Sequence, residues 1–193
     1  MDWLKLIAAR KQTLNFNPHE TTDWNQIEKI LDLLHRYLPS KQNQCPYQID
    51  VLGWNNPELR TQIFYKTLPP DDNNEFSEWE WNPQTLAPVL FCLSSDSTRT
   101  AKTEIGMAGL FIVYAATDLG YHTGFCGCIN DGVGIAKLLG YHDLETRLII
   151  GIGIKDCELD PHATNPLTGR IMSKPKAFDG PKPDRDTYCR IRQ

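Results

Sequence analysis

Three short stretches of this sequence hold residue types that can bind a small molecule. The first is Arg10-Lys11, followed by Gln12, Thr13, Asn15 and Phe16. Two adjacent cations at a helix end can hold a phosphate by charge-assisted hydrogen bonds, and arginine can do so bidentately. The plainer reading is a solvated helix end, where cations are favoured in any case. The second stretch is Leu38-Pro39-Ser40-Lys41-Gln42-Asn43-Gln44-Cys45-Pro46-Tyr47. Ser40, Asn43 and Gln44 offer donors and acceptors to a polar ring edge or a polyol chain, or else they satisfy their own turn. The third is Gly124-Phe125-Cys126-Gly127-Cys128, where Gly127 would let the backbone come close to a flat ligand. Cys126 and Cys128, with His122 or His142, raise a metal or redox reading. Zinc takes four ligands, usually with a C-x₂₋₄-C spacing, and no second pair is present, so buried inert thiols are expected and no metal.

The elements that must position these stretches follow from periodicity. Asp2 to Lys11 reads as a short helix. Trp24, Ile27, Ile30, Leu31, Leu34 and Leu38 recur at three- and four-residue steps, which predicts an amphipathic helix over 23–38 that Pro39 ends. Residues 47–52 alternate like a strand, and 57–66 reads as a helix with proline first. Residues 68–83 are polar and acidic, a long loop of the kind that covers functional sites. Ala87 to Leu93 and Arg147 to Ile154 are continuous apolar runs, hence buried strands, with a third strand over 123–129 and a short helix over 133–139. The longest helix, 100–119, is apolar nearly all round, with Gly120 as its stop, and so is expected to pack against a second subunit as well. From Asp156 the chain is rich in Pro, Lys, Asp and Gly. Such a tail, 156–193, makes no core of its own; it either wraps around a partner subunit, the expected course, or stays mobile.

Composition narrows the function classes. The chain has 193 residues, enough for one domain over 1–193, with 40% hydrophobic and 23% charged residues. A net charge of −4 offers no broad basic surface for nucleic acid. The longest apolar stretch, 105–116, falls short of the roughly 20 residues a membrane span needs. The first residues lack the basic and apolar regions of a secretory leader, and the six cysteines are scattered, so a reduced, cytoplasmic protein is expected.

The order of the stretches carries more than any one of them. An Arg-Lys pair at 10–11 is followed by Pro39 to Tyr47. Ile105-Gly106-Met107-Ala108 comes next, then Leu119-Gly120-Tyr121-His122-Thr123-Gly124 and the apolar strand ending at Gly151-Ile152-Gly153. From about Ile7 to Lys155 the chain resembles the FMN-dependent nitroreductase family. Pro39 to Tyr47 looks like that family's Pro-Ser-x-x-Asn-x-Gln-Pro-Trp loop. The resemblance implies an α+β fold, with a central, mostly antiparallel sheet flanked by helices, in an intertwined homodimer with FMN across the interface. It implies Arg10 and Lys11 at the phosphate and ribityl end of FMN, with Gln12 where the family usually has serine. Ser40, Lys41 and Asn43 would come from the partner subunit along the ring or ribityl chain. Phe125, Cys126 and Gly127 would lie against the isoalloxazine ring, and Lys174 or Lys176 would supply a second phosphate cation.

The implied activity is ping-pong hydride transfer from NAD(P)H to a nitroaromatic, quinone or related electron-poor acceptor. The flavin carries the chemistry, so no side chain is nominated as catalytic. Three departures stand against the pattern. Leu14 replaces a second basic residue, Cys45 and Tyr47 replace Gln and Trp, and Cys126 stands where an acidic or polar residue is common. They leave open a second reading: a non-catalytic flavin- or nucleotide-binding sensor or interaction protein on the same fold.

Overall fold

The computed structural model describes residues 2–14, 16–17, 22–68, 82–155 and 167. Most of the loop over 68–83, the tail over 156–193 apart from Leu167, and with it Lys174 and Lys176, lie outside the described residues.

Helix α1 (Trp3–Ala9) buries Leu6 alone and stops at Arg10, whose N–H donates to Leu6 O. Helix α2 (Trp24–Tyr37) starts on Asp23, which accepts from the Asn25 N–H, and buries Ile27, Ile30 and Leu34 as its stripe requires. Leu38 is extended (ψ 119°), the conformation that Pro39 enforces on its predecessor. Strand β1 (Tyr47–Leu52) leads to α3 (Pro57–Thr67), which has proline in its first turn and is capped by Asn56. A 3₁₀ turn (Pro83–Leu86) precedes β2 (Val89–Ser95). Helix α4 (Arg99–Asp118) is capped by Thr98, and Gly120 follows it at φ 91°, a left-handed stop that glycine adopts freely. Strand β3 (His122–Cys126), helix α5 (Gly132–Leu138) and strand β4 (Glu145–Gly153) complete the order.

The sheet runs β1-β2-β4-β3, and every ladder is antiparallel. Side-chain alternation divides the core. Val89, Phe91 and Leu93 of β2 and Ile150 and Ile152 of β4 meet α2 and the buried side of α4. On the opposite face, Leu90, Cys92 and Ile149 meet Ile63 of α3 and Ile135 of α5. Both central strands are therefore covered on both faces, which is why each reads as an apolar run.

Two strand boundaries need correcting. Strand β2 continues past the apolar run because Ser94 and Thr146 share a hydrogen bond of 2.8 Å across the ladder, so polar groups are buried without loss of partners. Strand β3 ends at Cys126 rather than near 129. The chain then turns so that Gly132 can press against the Thr146 carbonyl, where no Cβ would fit. Within the single chain, helix α4 buries one face and leaves Gly106, Met107 and Leu110 exposed.

Asp131 caps α5 by accepting from the Gly134 N–H (2.7 Å) and is paired with Lys66 (2.6 Å). The Lys66 contact first, then the Gly134 N–H, hold its carboxyl below the usual range. Asp131→Ala is expected to cost about 1 kcal/mol, the worth of an N-cap. A folded-state pKa below the unfolded one gives stability present above the unfolded value and lost as pH falls through the folded one. The difference between wild type and Asp131→Ala in urea unfolding should therefore hold at neutral pH and shrink below about pH 4. A constant difference down to pH 3 would assign the effect to packing instead.

Candidate functional site

Strand β3 is an edge strand, and residues 12–13 close that edge. Gln12 and Thr123 form a parallel bridge, and the Thr13 N–H donates to Thr123 O at 2.9 Å. The Gln12 side chain continues the pairing: its Nε2 donates to Phe125 O (2.8 Å) and its Oε1 accepts from the Phe125 N–H (3.0 Å). The close approach needs Gly124, since a Cβ there would run into Thr13 O and the Gln84 side chain. Arg10 is half-buried and Lys11 exposed just before this bridge. Lys11 lines a cleft of about 150 Å³ with Thr117, Tyr121 and His122. His122 Nδ1 accepts from the Lys155 N–H, and burial, then the Lys155 charge, lowers its pKa.

The sequence places Phe125, Cys126 and Gly127 against a flat ligand, and the structure divides these three. The Phe125 ring packs under α4 beside Gly109, where an added Cβ would stand 3.1 Å from it. Cys126 is buried in the second core, and burial above all pushes its thiol up to about 12, so it stays protonated. The side chains of Phe125 and Cys126 thus face inward, and the Phe125 N–H and C=O are both already bonded to the Gln12 side chain, so neither residue presents a side chain to a surface ligand. Gly127 is exposed, with empty space where a Cβ would stand.

Ser40, Lys41 and Asn43 sit in the loop before β1. Ser40 Oγ–H donates to Glu104 Oε2 (2.7 Å), and the Lys41 N–H donates to Glu104 Oε1 (2.9 Å). Ser40 Oγ also accepts from the Cys45 N–H at 2.8 Å, so its hydroxyl is committed within the loop. Gln42, Asn43 and Cys45 all adopt positive φ (55°, 55° and 43°), a conformation that costs non-glycine residues energy and clusters at functional segments. Burial first, then the neighbouring Cys45, raises the Tyr47 phenol above its usual pKa. Lys41 lies exposed over a cleft of about 500 Å³ lined by Pro39, Arg99, Thr103, Glu104 and Met107.

These two groups do not meet within one chain. Arg10, Lys11 and Gly127 flank β3, whereas the Ser40 loop leads into β1, and β2 and β4 lie between. Three strand spacings amount to roughly 14 Å across the sheet. An exposed apolar surface links them. It starts at Met107 beside the Lys41 cleft, continues through Leu110 of α4, and reaches Trp3, Leu4 and Ile7 of α1, one turn before Arg10. Trp3 and Tyr114 join the two helices, with ring centroids 5.3 Å apart.

Sequence reasoning missed Glu104, Asn82 and Gln84. Glu104 had a weak signal, as the last charged residue before the apolar run over 105–116. Asn82 and Gln84 had none, because each acts on a backbone carbonyl more than forty residues away.

This architecture, a four-stranded antiparallel sheet with α2 and α4 on one face and α3 and α5 on the other, is that of an α+β protein. No protein-family model and no curated protein matches the chain. Solved structures do. A nitroreductase family protein from Clostridium novyi NT is 21% identical, covering 81% of this chain and 87% of that one, with a TM-score of 0.66. An FMN- and NADPH-dependent nitroreductase from Sphigopyxis sp. strain HMH is 14% identical over the whole of both chains, at 0.73. A nitroreductase with bound FMN from Bacteroides fragilis NCTC 9343 is 16% identical, covering 90% and 100%, at 0.65. The chain therefore has the nitroreductase fold. Among the described residues no helix is long and apolar enough to cross a membrane.

Proposed function

We propose that this chain is an FMN-dependent NAD(P)H oxidoreductase of the nitroreductase kind, working in the cytoplasm as a homodimer of single-domain subunits. The observation that carries the reading is the split site: two ligand-binding groups on opposite edges of the sheet, joined by an exposed apolar surface. A second copy seated on that surface would bring Lys41 and Asn43 of one subunit to Arg10, Lys11 and Gly127 of the other.

The residues present fit FMN, with two substitutions of role. Arg10 and Lys11 have no ion pair among the described residues and are available to the phosphate. Gly127 leaves its backbone open to a flat ring. Lys41 and Asn43 present exposed polar groups to the ring edge or ribityl chain. Gln12 and Ser40 contribute by shaping backbone, because their polar atoms are already bonded internally. Lys174 or Lys176 is proposed as a further phosphate cation, carried on a tail that crosses to the partner. Bound there, FMN would supply hydride transfer from NAD(P)H to a nitroaromatic, quinone or related acceptor. The protein's part is to bind, orient and leave an open apolar slot, so no side chain is assigned a proton to move.

The visible absorption spectrum of the purified protein is the direct test: flavin bands released as FMN on denaturation are expected. Arg10→Ala should weaken FMN binding by about 1.5–3 kcal/mol, the scale of a hydrogen bond to a charged group. Unchanged affinity in a fluorescence titration would move the phosphate elsewhere. The internal commitment of Gln12 and Ser40 favours one other reading, a flavin- or nucleotide-binding protein without turnover. Bound FMN with no quinone-dependent oxidation of NADH or NADPH would select it.

A further inference from the structure

Three side-chain amides converge on the few residues around Gly127. Phe125 O, two residues before it, accepts from Gln12 Nε2 and Gln84 Nε2, both at 2.8 Å. Cys128 O, just after it, accepts from Asn82 Nδ2 at 2.8 Å, and the same amide also donates to Thr67 O at 2.9 Å. The Cys128 N–H leans on the Cys126 sulfur from within the turn. Asn82 is only 8% exposed and holds a left-handed conformation (φ 54°), which asparagine tolerates better than most residues. Gln84 Oε1 is buried without a partner, so its amide is oriented by what its nitrogen serves at the cost of an unsatisfied acceptor. Between the two held carbonyls, Gly127 keeps an N–H and a C=O that no described residue engages, in open space and without a Cβ.

We infer that Asn82 and Gln84, with Gln12, are positioning residues that fix the Gly127 backbone as a preformed hydrogen-bonding edge for the flavin ring. The inference rests on the proposed function, since it is the FMN ring that this edge would meet. A donor held in place before the ligand arrives needs no reorganisation on binding, which is where fixed backbone amides gain their effect. The plainer alternative is that the amides only keep the turn folded.

The test compares wild type with Gln84→Met, which keeps an unbranched side chain and loses the donor, and Asn82→Asp, which keeps shape and tolerance of positive φ. If Gln84→Met fails to fold, Gln84→Asn, one methylene short of the Phe125 carbonyl, replaces it. In the flavin-free protein, each variant should speed hydrogen exchange at the Cys126–Ile129 amides by about tenfold while β2 and β4 keep wild-type protection. Each should weaken FMN binding about tenfold, the scale of one hydrogen bond, and move the midpoint potential of bound flavin. A purely structural role would leave the potential where it was. Unchanged affinity and potential in variants of a flavin-binding wild type would overturn this inference alone. A wild type that takes up no FMN would overturn it together with the proposed function.

Discussion

Arg60→Met is expected to lower the unfolding free energy by about 3–5 kcal/mol, several times the roughly 1 kcal/mol expected for loss of a helix cap at Asp131. Arg60 lies on α3, is 1% exposed, and has no carboxylate partner among the described residues. Backbone carbonyls take that place. Its Nη2 donates to Ala87 O (2.7 Å) and Thr85 O (3.0 Å), and its Nη1 reaches Leu52 O, Gly53 O and Pro88 O at 3.4 Å each. The guanidinium also stacks on Trp54, 4.2 Å from the ring centroid. Burial lowers its pKa to about 10, which still leaves it charged at neutral pH. One side chain thus ties the end of β1 to the turn that enters β2, and that turn carries Gln84. Methionine nearly preserves the volume, so the cost would come from buried acceptors left without donors, each worth about 1–3 kcal/mol. Urea unfolding followed by tryptophan fluorescence measures it. A loss below about 1 kcal/mol would mean that water or shifted backbone replaces the guanidinium.

Arg60 also shows where reading from sequence stops. Within Pro57–Thr67 it sits among Glu58, Thr61 and Lys66, and nothing distinguishes it from a solvent-facing residue. Its role depends on carbonyls up to 28 positions away. Helix α2 and strands β2 and β4 were legible because burial imposes a period, or the absence of polar residues, on the sequence itself. Ser94, Ser95 and Thr146 broke that rule and were still buried, since Ser94 and Thr146 bond each other across the strands and the Ser95 hydroxyl donates to Asp96 O and accepts from Arg147 Nε.

The candidate site divides in the same way. The residue types in the Arg10, Ser40 and Gly127 stretches were visible, but the direction of each polar group was not. Ser40 is committed to Glu104, 64 positions on, and Gln12 to the Phe125 peptide, 113 positions on. No local pattern encodes such pairings. The large apolar content of α4 was legible, but not its division into a buried face and an exposed one, because Gly106, Met107 and Leu110 look as core-like as their neighbours.

That exposed face carries the second large prediction. Wild type should have twice the 22.0 kDa chain mass by light scattering, and Leu110→Arg should have the chain mass alone. Leu110 is 45% exposed and Leu4 is 72% exposed, on adjacent helices whose apolar residues form one surface. Exposed apolar surfaces of this kind mark a contact. Burying one leucine is worth about 1.5–3 kcal/mol, and in a twofold interface every substitution is made twice. Arginine removes that gain and adds a charge to be desolvated in both copies, enough to move a micromolar or tighter dimer beyond assay concentrations. If the site is shared, FMN binding must fall with the dimer, by more than about 100-fold, or 2.7 kcal/mol. Arg10, Lys11 and Gly127 would then have lost Lys41 and Asn43. The fold should survive, since Leu110 contributes nothing to either core. A monomeric wild type would remove the shared site. A monomeric, folded Leu110→Arg that still binds FMN normally would place the whole flavin site within one chain, and the separation of the two groups across the sheet would need another explanation.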